Sequence, residues 1–103
     1  MKTQYLKEFP TFDFEIPALE GFTDVSYKND ACPSFSRQLN ETLEIVVWVD
    51  FKDENNRECN LKQFMVISQE IDGASDNPDF DSEFETDSWD EVIARINEIV
   101  SKV

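Results

Sequence analysis

The sequence predicts an α+β fold in which a small antiparallel sheet, of about three to five strands, is packed by one C-terminal amphipathic helix. Two apolar strand-like segments and an alternating acidic segment follow one another between residues 43 and 87, and a segment of helical periodicity follows them. The 103 residues are 40% hydrophobic and 13% aromatic, which is enough apolar material for one core. We therefore expect residues 1–103 to form a single domain.

The first third of the chain is rich in aromatic residues and is interrupted by Pro10, Pro17, Gly21 and Pro33. Such breaks disfavour helices and are typical of extended segments and turns that lie over a core. The alternation at residues 12–16 predicts a short strand that Pro17 ends or confines to a sheet edge. Residues 20–35 are interpreted as a structured loop. We expect a group of apolar side chains from this region to be buried, namely Phe9, Phe12, Phe14, Ile16 and Leu19.

The clearest predicted strand covers residues 43–51. Its alternate positions are mostly β-branched and place Leu43, Ile45, Val47, Val49 and Phe51 on one face. The other face is also partly apolar, which favours a central position in the sheet. Residues 64–71 predict a second strand, and we expect the two to pair antiparallel.

An acidic segment follows at residues 79–87, where every second residue is Asp or Glu. In an extended chain these side chains form one row with a repeat of about 6.6–6.8 Å, while Phe80 and Phe84 face the other way. The segment therefore predicts a third strand that anchors itself by its aromatic face and projects carboxylates from an exposed edge. The row consists of Asp79, Asp81, Glu83, Glu85 and Asp87.

A helix is predicted over residues 89–102. Ser88 and Glu91 have the spacing of a capping box, and acidic residues in a first turn suit the positive end of the helix dipole. Apolar residues recur at helical spacing, and we expect Ile93 and Ile96 to lie at the centre of that apolar face. The full apolar set is Trp89, Val92, Ile93, Ile96, Ile99, Val100 and Val103.

The formal net charge is −14, and residues 71–103 alone carry ten acids and two bases. A field of this sign opposes binding to nucleic-acid backbones and anionic membranes and attracts basic partners. Two interpretations of the acidic row stay open: a solvated surface that promotes solubility, and a binding surface. The row's repeat is close to twice the axial spacing of phosphates along one strand of DNA, which is about 3.4 Å.

Several kinds of chemistry are not indicated. The chain has no histidine, its two cysteines form no CxxC pair, and with two glycines it has no phosphate-binding loop, so we predict neither an enzyme nor a cofactor. Residues 72–83 begin with Asp and end with Glu as an EF-hand loop does, but Ala74 and Asn77 occupy positions where a ligand and a glycine are needed. We therefore predict no metal site. The N-terminus lacks an apolar signal core, and we expect a cytoplasmic location.

The acidic chain with its carboxylate row resembles small phage and mobile-element proteins that inhibit bacterial defence, notably anti-CRISPR and anti-restriction proteins that mimic DNA. Residues 21–26, 29–35 and 85–92 are also similar to uncharacterised phage-type proteins. The resemblance implies a non-enzymatic inhibitor that occludes the DNA-binding surface of a bacterial defence complex, in the cytoplasm of an infected host.

The partner implied is a basic nucleic-acid-binding protein, with a CRISPR effector favoured, rather than nucleic acid or a membrane. Two alternatives stay open: an immunity protein or antitoxin that neutralises a basic nuclease, and a phage structural or assembly protein with a solubilising surface. Each carboxylate of the interface would accept charge-assisted hydrogen bonds from Arg or Lys. The predicted partner-binding residues are Asp72, Asp76, Asp79, Asp81, Glu83, Glu85, Asp87, Asp90 and Glu91.

Overall fold

A computed structural model describes residues 4–17, 19–27, 32–41, 43–56, 62–70 and 82–101. The described part contains two α-helices, five strands and a short 3₁₀ turn at Glu54–Asn56. In chain order the elements are α1 (Gln4–Glu8), β1 (Thr23–Asp24), β2 (Ser34–Gln38), β3 (Leu43–Val49), β4 (Phe64–Glu70), β5 (Ser82–Thr86) and α2 (Trp89–Ser101).

The five strands form one sheet in the spatial order β1-β2-β3-β4-β5, and each neighbouring pair is antiparallel. Each strand therefore lies beside the one that precedes it in the chain. The predicted α+β class is confirmed, with β3 central and β5 at an edge of the sheet.

Strand β3 confirms the alternation seen in the sequence. Leu43, Ile45, Val47 and Val49 are buried on one face, while the residues between them are half-buried on the other. The register with β4 aligns Val47 with Val66 and Val49 with Phe64, so the buried faces of the two strands coincide. Both strands and their antiparallel pairing were predicted correctly.

Helix α2 covers this buried face. Val92, Ile96 and Ile99 are buried in the same core cluster as β3 and β4, and Trp89 packs edge-on against Phe64 with ring centroids 5.2 Å apart. The helix was therefore predicted correctly. The expected centre of its apolar face was wrong in one respect, because Ile93 is 37% exposed whereas Ile96 is 5% exposed.

The N-terminal segment packs on the same side of the sheet as α2. Its short helix α1 was not predicted, and it is tied to β1 by Asp24, whose carboxylate accepts the backbone N–H of Tyr5 at 2.9 Å. The Tyr5 ring then packs against Phe12 and Phe35, with centroids 5.8 and 6.0 Å away. A carboxylate that is distant in sequence therefore orients α1 on the core.

The strand expected at residues 12–16 is absent from the structure, although the alternation in burial is present: Phe12, Phe14 and Ile16 are half-buried and the residues between them are exposed. The segment is held by the side chain of Asp13 instead of by a strand partner. The Asp13 carboxylate accepts the backbone N–H groups of Lys52 and Asp53 at 2.8 and 2.9 Å. The alternation of apolar and polar residues at 12–16 therefore predicted which side chains are partly buried, but it did not mean that the segment pairs in the sheet.

The interpretation of residues 20–35 as a loop was also wrong in part, because β1 and the beginning of β2 lie within it. These strands are joined by an exchange between two buried serines. The Ser34 N–H donates to Ser26 Oγ at 3.2 Å, and the Ser26 hydroxyl donates to the Ser34 carbonyl at 3.4 Å. The hydroxyl of Ser26, which lies two residues beyond β1, therefore bonds both backbone groups of Ser34 at the start of β2, and hydrophobic periodicity does not reveal this contact.

The helix packing predicts a difference between two isoleucines. Ile96→Ala should lower the free energy of unfolding by about 2–5 kcal/mol because it removes buried methylenes from a close-packed core, whereas Ile93→Ala should cost less than about 1 kcal/mol. Urea unfolding followed by circular dichroism measures both values. Equal losses in the two variants would contradict the orientation of α2.

Candidate functional site

Strand β5 forms one edge of the sheet and carries part of the acidic row. Its register places Thr86 opposite Phe64 and Phe84 opposite Val66, on the face that α2 covers. The intervening residue Glu85 is exposed and belongs to the opposite face. The prediction of a strand with an aromatic anchor and a charged edge is thus confirmed for Ser82–Thr86.

The remaining predicted site residues are distributed unevenly. Asp72, Asp76, Asp79 and Asp81 lie outside the described residues. Glu83 lies in β5 opposite Ile67 by register. Exposed carboxylates are described at Glu85, Asp90 and Glu91, while Asp87 is engaged with its own chain.

Asp87 continues the β4–β5 ladder with its side chain. One carboxylate oxygen accepts the backbone N–H of Gln63 at 2.9 Å, and the other lies 3.5 Å from the Lys62 ammonium. These two residues directly precede β4, at the point where the next backbone pair of the ladder would form. The row of carboxylates was expected to run through Asp87, but this group is committed to holding the start of β4.

The first turn of α2 presents the other two exposed acids. The Ser88 hydroxyl accepts the Glu91 N–H at 3.4 Å, which confirms the serine as the helix cap. The Ser88 N–H donates to Thr86 Oγ1 at 3.0 Å, so Thr86 acts where a capping box would use the glutamate. Asp90 and Glu91 are exposed beside the positive end of the helix dipole.

Many of the chain's 23 acids are structural. In addition to Asp87, side chains of Asp13, Asp24, Asp50 and Asp53 accept backbone N–H groups. Within the described part, a second group has exposed side chains that make no hydrogen bond or ion pair: Glu15, Glu20, Glu41, Glu54, Glu85, Asp90 and Glu91. Three members of this group lie within seven residues of one another in the sequence where β5 leads into α2, with Glu85 on the sheet face away from α2 and the other two in the first turn of α2, and we call Glu85, Asp90 and Glu91 the acidic corner.

The sheet face beside Glu85 is partly apolar. The register places Glu85, Met65 and Trp48 in one row across β5, β4 and β3, and places Ile67 and Val46 in the next row. These four apolar side chains are half-buried, and we call them the apolar strip. The sequence of β3 already indicated that Val46 and Trp48 make its second face partly apolar. That this strip lies next to Glu85 follows only from the strand register.

Among the described residues, no group of three or more His, Cys, Asp or Glu side chains is placed to hold a metal ion. The helices of the described part are too short and too polar for any of them to cross a membrane.

No family model matches the chain, and neither a curated protein nor a solved structure matches it. The functional assignment therefore rests on charge, exposure and geometry.

The role of Asp87 predicts that its two simplest variants differ. Asp87→Ala removes the acceptor of the Gln63 N–H and should destabilise the fold by about 1–3 kcal/mol. Asp87→Asn keeps an oxygen acceptor for the Gln63 N–H and removes the charge that faces Lys62 in an exposed ion pair, so it should cost less than about 1 kcal/mol. Urea unfolding of both variants distinguishes these values, and an equally mild effect of alanine would show that the Gln63 contact contributes nothing.

Crowded negative charge predicts that salt stabilises the protein. Between about 0.01 and 0.1 M sodium chloride the Debye length falls from about 30 to about 10 Å, which screens repulsion among the acids. The midpoint of urea unfolding should therefore rise. A control variant with the acidic corner neutralised should show a smaller rise, and a midpoint that falls with salt would mean that attractive ion pairs dominate.

Proposed function

We propose that the protein is a non-enzymatic inhibitor that mimics nucleic acid and occludes the basic DNA-binding surface of a bacterial defence complex, with a CRISPR effector as the favoured target. The carboxylates occupy positions where the target holds phosphates, so that inhibitor and DNA compete for one surface. Such an inhibitor acts in the cytoplasm of an infected bacterium.

The observation that carries this proposal is the acidic corner, where the edge strand β5 leads into α2. The side chains of Glu85, Asp90 and Glu91 are exposed and make no hydrogen bond or ion pair with the described part of the chain. Their carboxylates are therefore available to guanidinium and ammonium groups of a partner. Each charge-assisted contact of this kind contributes about 1.5–3 kcal/mol when it is well placed.

The net charge of −14 supports the same mechanism. A field of one sign raises the rate at which a basic partner is encountered and disfavours acidic partners. The extended backbone of β5 also sets a repeat of about 6.6–6.8 Å for residues on one face, close to twice the axial phosphate spacing of a DNA strand. In this proposal Asp79, Asp81 and Glu83 contribute further carboxylates to the partner; Asp79 and Asp81 lie outside the described residues.

A second candidate function is neutralisation of a basic nuclease by an immunity protein or antitoxin. The apolar strip favours it, because Met65 and Trp48 lie in the same cross-strand row as Glu85. A surface that replaces phosphates requires charge alone, whereas a surface that covers a folded toxin combines apolar contacts with charge.

The test begins with capture of partners from bacterial lysate, in the presence and absence of duplex DNA. The captured protein is then purified, and its affinity is measured for wild type and two matched variants. One variant neutralises the acidic corner through Glu85→Gln, Asp90→Asn and Glu91→Gln. The control neutralises three exposed acids elsewhere through Glu15→Gln, Glu41→Gln and Glu54→Gln.

We expect the corner variant to lose at least about tenfold in affinity, the expected effect of losing one well-placed charge-assisted contact, while the control loses much less. DNA should displace the wild-type complex, and binding should weaken as salt increases. Equal losses in the two variants would reduce the role of the acids to net charge. A nuclease partner that DNA does not displace would favour the second candidate instead.

A further inference from the structure

An open cleft of about 530 Å³ lies between α2 and the turn that precedes β1, on the opposite side of the sheet from Glu85. Clefts that bind small molecules commonly span about 300–1,000 Å³ and combine apolar walls with a few polar groups. The lining of this cleft is of mixed polarity: Phe22 and Ile93 contribute apolar surface, and Arg37 and Asn97 contribute donors. It shares no residue with the acidic corner.

Arg37 enters the cleft because of its position in β2. The register pairs Arg37 with Ile45 and Phe35 with Val47, so both side chains start from the core face of the sheet. Phe35 stays in the core, whereas Arg37 extends beneath the turn at Gly21. That glycine has φ +81°, and a Cβ on it would lie 3.5 Å from Arg37 Cδ and Nε. The turn therefore packs directly on the side chain of Arg37.

The guanidinium of Arg37 makes no hydrogen bond or ion pair with the described residues, and the side chain is half-buried. Two other described cations form ion pairs, Lys62 with Asp87 and Arg95 with Glu98. A guanidinium offers five N–H donors in a planar fork that matches a carboxylate. Arg37 is half-buried, and its guanidinium has no acceptor in the described part of a chain that contains 23 acids. The guanidinium is therefore placed to bind an acceptor from another molecule.

The walls specify the rest of the ligand. Ile93 is exposed although it belongs to the apolar side of α2, and its side chain borders the cleft together with the half-buried Phe22. An apolar body placed between them would remove apolar surface from water, which is favourable. We propose that the cleft binds a small carboxylic acid with an apolar body, whose carboxylate pairs with Arg37 and whose body contacts Phe22 and Ile93.

Glu20 also lines the cleft and is exposed. Its carboxylate repels an incoming anion and so lowers the affinity for the proposed ligand. This repulsion makes the proposal testable in two directions, because removal of Arg37 should weaken binding and removal of the Glu20 charge should strengthen it. The site is independent of the proposed inhibitor function, and its lining contains one acid and one base.

The probe is 4-phenylbutyrate, and its neutral analogue 4-phenyl-1-butanol serves as the control. Both are titrated into ¹⁵N-labelled protein at about 0.15 M salt, where the Debye length is about 8 Å. We expect saturable shifts of the Gly21 and Ile93 amides and of the Arg37 Nε–H, with the alcohol at least about tenfold weaker. An absence of saturable shifts, or equal affinity for the alcohol, would overturn the proposal.

Variants then test the assignment of residues. Arg37→Gln should weaken binding of the probe at least about tenfold, whereas Lys7→Gln makes the same change in net charge on α1 and should leave the affinity within about twofold. Glu20→Gln should bind more tightly than wild type, and this variant serves even if Arg37→Gln fails to fold. Equal losses in the Arg37 and Lys7 variants would overturn the site. Binding of the probe by Glu20→Gln but not by wild type would also overturn the site, because it would mean that the Glu20 carboxylate already pairs with Arg37.

Discussion

The antiparallel pairing of β3 with β4 is the constraint on which the rest of the structure depends. The register brings Val47 beside Val66 and Val49 beside Phe64, and this forms one continuous apolar face. A shift of one residue would send every second side chain to the wrong face, so burial of the face also determines the register. Helix α2 and the N-terminal aromatic residues pack against this face, and β5 extends the sheet from the same strand β4.

The high negative charge is accommodated by dividing the acids between two roles. Carboxylates such as Asp13, Asp24 and Asp87 accept backbone N–H groups and join segments that are distant in sequence. Hydrogen bonds of this kind are stronger than neutral ones, so these acids replace part of the backbone ladder that an irregular chain lacks. Acids whose side chains make no hydrogen bond or ion pair within the described part, such as Glu85 and Asp90, contribute nothing comparable to the fold, and their carboxylates are therefore available for binding.

The candidate site was only partly predictable from sequence. Alternation correctly placed Phe84 and Glu85 on opposite faces of an edge strand, because a strand repeats every two residues whatever lies around it. It also placed Asp87 in the same row, and this failed because the strand ends at Thr86 and the next carboxylate turns to Gln63. The cleft at Arg37 was missed because residues 20–35 were interpreted as a loop. The sequence spacing of Phe35 and Arg37 places the arginine on the core face only if both residues are known to lie in one strand, and this was not predicted.

The sequence by itself determined the α+β class, the two central strands, the acidic edge strand and helix α2. In each of these, periodicity spans several residues and is enforced by burial of one face. Only the tertiary structure decided the roles of individual polar residues. The Asp13 carboxylate accepts the backbone N–H groups of Lys52 and Asp53 across the fold, and Ser26 exchanges two hydrogen bonds with Ser34. Such isolated contacts leave no periodic trace in the sequence. The difference has a physical cause: apolar burial is a repeated property of a segment, whereas a hydrogen bond depends on one distance and one angle between residues that the fold brings together.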